Sequence, residues 1–157
     1  MEKTEWRWQL KSFDEFTTQE LYGILRLRVD VFVVEQACPY GELDGKDLDG
    51  ETRHLWAVDE AGEVAAYLRL LPPGLSFPDA ASMGRVVVAP AHRGCGLSHE
   101  LVGRGLGALA DAWPGKAVTI GAQEYLTSFY ESHGFKVVSP GYLEDGIPHV
   151  DMTLNRG

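Results

Sequence analysis

Cysteine is scarce in this chain: Cys38 and Cys95 are the only two among 157 residues. Two thiols cannot build a disulfide framework, and they cannot make a metal site alone. Basic residues are also in short supply, with 14 Lys and Arg against 23 Asp and Glu, a net charge of −9. That argues against nucleic acid as a partner, because phosphate contacts need clustered Lys and Arg. No apolar stretch approaches the ~20 residues that cross a bilayer, so no membrane partner is expected. The opening MEKTEWRWQL lacks a basic start followed by an apolar run. A signal peptide is therefore not expected, and the default compartment is the cytoplasm. Internal repeats and low-complexity tracts are missing too.

What is present suffices for a folded domain. Hydrophobic residues make up 45% of the chain, and its length fits one domain over 1–157 with a substantial core. Trp6, Trp8 and Leu10 alternate with polar neighbours, which predicts a first strand with one buried face. Thr17 opens T-T-Q-E, a capping box with Glu20, and Leu21, Ile24, Leu25, Arg28 and Phe32 share one face of a helix over 18–34. Residues 38–53 are rich in Gly and acid and read as a loop with a short helical turn. Strands are predicted at 54–59, 63–71, 82–89 and 116–121, and near 135–139 and 148–154. Helices are predicted from about 95 to 112 and over 123–133, the latter closed by Gly134 and Phe135 as in a Schellman stop. Gly103, Gly105 and Gly107 weaken the first of these unless close packing on a sheet compensates. The order β-α-β-β-β-α-β-α-β-β predicts a mixed α/β sheet.

Residues 85–98, RVVVAPAHRGCGLS, run from a strand through a tight turn into a helix. A helix N-terminus offers unpaired N–H groups and a partial positive charge, which favour an anion. Gly94 and Gly96 let a backbone approach a bulky phosphate, and Arg93 adds forked cationic donors. The stretch reads as a phosphate or pyrophosphate cradle. No Lys follows the glycines, so it is not a P-loop, and His99 stands where a dinucleotide fingerprint needs its third glycine.

Arg93, Gly96 and Ser98 resemble the R-x-x-G-x-[GA] acyl-CoA loop of the GNAT family of N-acetyltransferases, with Ser98 in place of the usual Gly or Ala. QEYLTSFYESHGF, residues 123–135, resembles that family's N-x-x-A-x-x-F-Y-x-x-x-G-F segment at Phe129, Tyr130, Gly134 and Phe135, with Gln123 where Asn is common and Leu126 where Ala is common. VFVVEQACPYGELDG at 31–45, RHL at 53–55, GRVVV at 84–88 and EDGIPH at 144–149 resemble its ElaA-like branch. The resemblance implies the GNAT fold over nearly the whole chain. It also implies acetyl-CoA as co-substrate and a small-molecule or peptide amine as acceptor.

By that resemblance, the loop Arg93, Gly94, Cys95, Gly96, Leu97 and Ser98 would hold the pyrophosphate, and Gln123 and Tyr130 would face the cofactor. Val86 and Val88 would pair with the pantetheine arm through their backbone, and an amide near Val87 would polarise the thioester carbonyl. Tyr130 stands where the family places its general acid, and a phenol is protonated at neutral pH. The base is less defined: Glu35, His54, Glu124 and His149 are candidates, with Glu35 first and His54 second. Partial burial would raise Glu35 towards a useful pKa, and His54 would titrate near neutrality. A structural hydrogen bond accounts for His149. Arg28 and Arg85 lie on otherwise apolar elements and call for acidic partners, of which Glu35 is one. Asp44, Asp47, Asp49 and Glu51 crowd a loop that reads as solvated or as a lure for a cationic acceptor. No spacing compels a metal site. Neither cysteine has a sequence-adjacent His, so direct ternary-complex transfer is expected rather than a covalent intermediate. A non-catalytic acyl-CoA sensor and an enzyme like the acyl-homoserine-lactone synthases remain the alternatives, the latter through Arg28, Val31, Phe32 and Glu35. A homodimer stays open.

Overall fold

The capping box at Thr17 sets the start of the first helix. In the computed structural model, which describes residues 6–155, the Thr17 hydroxyl accepts from the Glu20 amide (3.1 Å) and the Glu20 carboxylate accepts from the Thr17 amide (3.0 Å). Residues 1–5 of the stretch read against a signal peptide lie outside the described residues. Helix α1 spans Thr18–Arg28 and continues through Val29–Glu35 in a wider π winding. That continuation is rich in valine, whose β-branch crowds an ordinary helical turn.

Strands β1 (Arg7–Lys11), β2 (Arg53–Val58), β3 (Val64–Leu71) and β4 (Ser82–Val88) form one antiparallel sheet in sequence order. Helix α2 (Leu97–Ala112) follows, then β5 (Val118–Gln123), α3 (Thr127–Glu131), β6 (Lys136–Val137), β7 (Tyr142–Glu144) and β8 (Ile147–Leu154). Strand β8 pairs antiparallel with β5, β6 and β7. The predicted order holds with one strand added, β7. The predicted α3 is shorter because Gln123 ends β5 and Glu124–Leu126 take a 3-10 turn. Its stop is as read: Gly134 has φ +95°, the Phe135 amide reaches Tyr130 O (3.2 Å) and the Gly134 amide reaches Glu131 O (3.0 Å). The alternation read in β1 fails at Leu10, which is 48% exposed at a sheet edge.

Both faces of the β1–β4 sheet are covered. Leu68, Leu70 and Met83 pack with Leu101, Val102 and Leu109 of α2, and the same core takes in Ile120, Met152 and Phe135. Trp56, Tyr67 and Val87 pack with Ile24, Leu27 and Val31 beneath α1. Gly105 permits the closest approach: a Cβ there would lie 2.9 Å from Leu68 Cδ2. The compensation expected for the helix glycines therefore holds at Gly105 only, since Gly103 and Gly107 face open space. Among the described residues, no helix is long and apolar enough to cross a membrane.

The two sheets meet at one point. Ala81 and Val118 form a parallel bridge, with Thr119 N–H donating to Ala81 O (2.9 Å) and Ala81 N–H to Ala117 O (3.0 Å). No further β4–β5 pairing occurs among the described residues. Parallel strands that touch at their starts and pair no further leave a wedge between their C-terminal ends. That wedge is the candidate site.

Candidate functional site

Strand β4 enters the wedge through a bulge. Tyr67 opposes Val87, yet Arg69 opposes Gly84, so one residue of β3 faces two of β4. Arg85 takes up the extra length at φ +52°, an unusual angle for a side-chain-bearing residue. Beyond the bulge, the Ala89 amide donates to Ala65 O (2.8 Å). Antiparallel alternation then turns the Val87 backbone towards Tyr67 and the Val88 N–H and C=O towards the wedge.

The chain next passes through a 3-10 turn at Pro90–His92 and reaches Gly94 (φ +81°) and Gly96 (φ +83°). These angles suit glycine, and the space above both residues is open. Gly96 is the N-cap of α2 and has no side chain to satisfy the first amides. The first backbone bond of the helix runs from Glu100 N–H to Gly96 O (3.3 Å). The result is a concave row of amides at the positive end of a sixteen-residue helix.

The wedge opens into a cleft of roughly 940 Å³. Val86, Val87, Val88, Arg93, Gly94, Gly96, Leu97, Ser98, Gln123, Tyr130 and Glu35 all line it. Cys95 belongs to the same turn but points its Sγ at His92 O (3.1 Å) and is exposed. Tyr130 is 7% exposed and packs edge-on against Phe129 and Phe135. No described residue hydrogen-bonds its hydroxyl, which borders the cleft. Burial, with Tyr125 adding to it, pushes the phenol up to about 12, so it stays protonated at neutral pH.

The base candidates occupy different surroundings from those expected. Glu35 is not buried; its side chain is 43% exposed and grips Arg93 through both oxygens (2.9 and 2.8 Å). That hydrogen-bonded guanidinium holds the carboxyl below its ordinary range rather than above it. Arg93 also donates from Nε to Val88 O (3.2 Å), which leaves two of its five N–H donors free. His54 sits in β2, 1% exposed, with Nδ1 at 2.7 Å from the Tyr67 hydroxyl and Nε2 at 3.2 Å from Asp47 O. Burial pushes it down to about 4, so the near-neutral titration expected from sequence is not found. Glu124 is exposed at the start of its 3-10 turn. His149 lines the cleft, and its Nδ1 is 2.7 Å from Ile147 O.

The arginines find acids other than Glu35. Arg28 is buried and bonds Glu42 (Nε, 2.8 Å) and Asp47 (Nη1, 2.9 Å; Nη2, 3.1 Å). Arg69 bonds Asp44 and Asp47, and Arg85 pairs with Glu42 and Asp44. Burial alone would lower the Arg28 guanidinium; Tyr67, Asp47 and Glu42 outweigh it and hold it above its ordinary value. Asp44 and Asp47 are thus not a solvated acidic loop. With Glu42 they neutralise three arginines and clamp residues 42–47 to the sheet. Glu51 does lie exposed, and Asp49 is half-buried. Sequence reasoning missed Glu42 and Arg69, whose only signal was the unexplained pairing demand of Arg28 and Arg85.

Cys38 and Cys95 are both free thiols. Among the described residues, no group of three His, Cys, Asp or Glu is placed to hold a metal ion.

Residues 15–156 match the family described as an acetyltransferase (GNAT) domain. Protein ElaA of Escherichia coli is 42% identical over 148 residues, covering 93% of this chain and 94% of that protein. Its crystal structure superposes with a TM-score of 0.90 at 39% identity, over 96% of this chain and 100% of that one. An acyl-CoA N-acyltransferase from Pseudomonas aeruginosa gives the same TM-score at 45% identity, over 96% and 99% of the two chains. With the split sheet, the bulged strand and the amide cradle already in place, these matches mean that the chain belongs to the GNAT acetyltransferase family.

Proposed function

We propose that this protein transfers an acetyl group from acetyl-CoA to a primary amine by direct attack within a ternary complex. The observation that carries the reading is the single cleft shared by the uncapped amides at 94–98, the free edge of β4 and the unpartnered Tyr130 hydroxyl. A diphosphate fits the cradle because positive-φ glycines expose consecutive amides there. An extended amide-bearing arm fits the wedge because the Val88 N–H faces it, and the Val88 C=O, which accepts from Arg93 Nε, keeps a second lone pair. A β4 amide would polarise the thioester carbonyl, and Tyr130 would give its proton to the departing thiolate. Arg93 would meet the diphosphate with its two free N–H donors while Glu35 holds it in place; in this reading Glu35 positions Arg93 and His54 is structural. The exposed thiol of Cys95 fits a reducing compartment, and we place the protein in the cytoplasm.

The test is thiol release from acetyl-CoA across a panel of amines, polyamines and lysine peptides, with acceptor-free hydrolysis subtracted. Tyr130→Phe is expected to lower kcat by about 10²–10⁴-fold while acetyl-CoA binding is retained. Unchanged turnover in that variant, under conditions where chemistry limits the rate, removes Tyr130 from the mechanism. Tight acetyl-CoA binding with no thiol release from any amine would favour the sensor reading instead.

A further inference from the structure

The proton of the acceptor has no destination in the account above. We propose that His149 takes it, and that His149 and Glu144 together bind the acceptor as a primary ammonium ion. This rests on the acetyl-transfer reading and adds the residues that hold the amine and the base that deprotonates it.

Strand β8 places His149 opposite Gln123, at the end of β5 where the wedge is widest. The ring lines the cleft and is 7% exposed. Its Nδ1 lies 2.7 Å from Ile147 O. A carbonyl oxygen only accepts, so Nδ1 carries the hydrogen, and in the neutral ring Nε2 presents a lone pair. That nitrogen lies 3.4 Å from Glu144 Oε2. With the ring neutral, these two acceptors side by side make a site for a proton donor, in place of the proton the imidazolium would carry itself. A primary ammonium has three N–H groups and can address both while keeping its carbon chain in the cleft. An alcohol or an amide cannot supply the charge.

The ring is held in this orientation. Tyr142 stacks on it (5.9 Å between centroids, 23° between planes) and is itself fixed by its hydroxyl on Asp151 (2.7 Å). Gly121 makes room for that hydroxyl, since a Cβ there would lie 3.0 Å from it. The β7–β8 turn is tied to the opposite wall by the Cys38 thiol on Asp145 O (3.4 Å). Acids near His149 are Glu144 from β7, Asp151 from β8 through Tyr142, and Glu124, whose Oε2 lies 3.5 Å from where a Cβ of Gly141 would sit. The same cleft is also lined by Lys46, Arg69, Arg85 and Arg93, and β5 contributes the neutral Gln123 opposite His149.

The protons balance. Nε2 takes one proton from R–NH3+, leaving R–NH2 and a charged imidazole beside Glu144. The amine lone pair forms the N–C bond to the thioester carbonyl, and the C–S bond breaks. The thiolate takes the Tyr130 proton, and the nascent amide returns its surplus proton to the tyrosinate. The imidazolium releases its proton to water, so one proton leaves per turnover.

Long-range proton–nitrogen NMR on 15N-histidine protein tests this, with n-butylammonium as probe and 1-butanol as its neutral counterpart. His149→Gln identifies the His149 signals by their loss. Butylammonium is expected to shift them saturably, butanol to leave them in place, and Glu144→Gln to weaken the ammonium by at least about fivefold. With acetyl-CoA and butylamine, His149→Gln is expected to lower kcat by about 100-fold. Glu144→Gln, on an exposed position that does not threaten folding, is expected to raise the amine KM with a smaller change in kcat. Acetyl-CoA affinity by calorimetry stays within about twofold in both variants, well inside one hydrogen bond's worth. Equal shifts with butanol, no shift at all, or a wild-type rate no greater than that of His149→Gln overturns the proposal. Failure of wild-type protein to bind acetyl-CoA would sink the transfer reading, while the ammonium titration still decides on the clamp.

Discussion

Replacing Arg28 by Met isolates the charge of the buried network while filling most of the same space. The guanidinium gives up hydrogen bonds to Glu42 (2.8 Å), Asp47 (2.9 and 3.1 Å) and Glu42 O (3.3 Å). Three arginines and three acids become two and three, so one negative charge is left over among Glu42, Asp44 and Asp47. Breaking a buried pair from one side costs about 3–5 kcal/mol. Asp47 keeps Arg69, and Glu42 keeps Arg85 and the Tyr40 hydroxyl (2.9 Å). The loss should therefore fall at the lower end, about 3 kcal/mol, or about 6–12 °C in Tm for a chain of this size. Urea unfolding at pH 7, followed by circular dichroism, gives the change in midpoint at constant slope. The double variant Arg28→Met/Glu42→Gln removes the stranded charge and should recover at least about 1 kcal/mol of that loss. A single-variant loss under about 1 kcal/mol, or a double variant as unstable as the sum of its parts, would refute the reasoning.

The three helix glycines should behave oppositely. Gly103→Ala and Gly107→Ala meet open space and should each stabilise by about 0.5–1 kcal/mol. Gly105→Ala drives a Cβ to 2.9 Å from Leu68 and should destabilise, since overpacking costs about 1–3 kcal/mol; thermal melts decide the signs. For His54, the folded value is near 4 against about 6.5 unfolded. Between those values the unfolded chain binds the extra proton, so stability falls as pH drops from about 6.5 to 4, by on the order of 3 kcal/mol in all. Denaturant midpoints across that window should lose their slope in His54→Gln; an unchanged slope contradicts the assignment. Asp47 works in a lower window: burial opposes but Arg28 holds its folded carboxyl low. Its stabilisation is full above the unfolded carboxyl range, about 4, and fades as pH falls towards the folded value. Acid titration of Asp47→Asn checks it.

What the sequence made legible was local. The Thr17–Glu20 capping box, the Gly134 stop and the Gly94–Gly96 turn each depend on residues within a few positions, and all three stand as read. The cradle could be found because glycine at positive φ and a helix start are local signals. The arginine network could not. Arg28 finds its acids 14 and 19 residues away and Arg85 finds Asp44 41 residues away, distances that only the folded sheet closes. Glu35 meets Arg93 across 58 residues, which turned an expected raised carboxyl into a lowered one. Strand β7 escaped notice because Tyr142, Leu143 and Glu144 are all exposed and show no buried alternation. His149 makes the structural hydrogen bond read for it, to Ile147 O two residues back in the same strand; its neighbour Glu144 was not legible, because only the β7–β8 hairpin brings it alongside.

The most direct test of the account is a crystal structure with coenzyme A. The diphosphate should lie within about 3 Å of amides between Gly94 and Ser98, with the pantetheine arm along the free edge of β4 between it and β5. A diphosphate bound away from that turn, or a chain that takes up no coenzyme A at all, would contradict it.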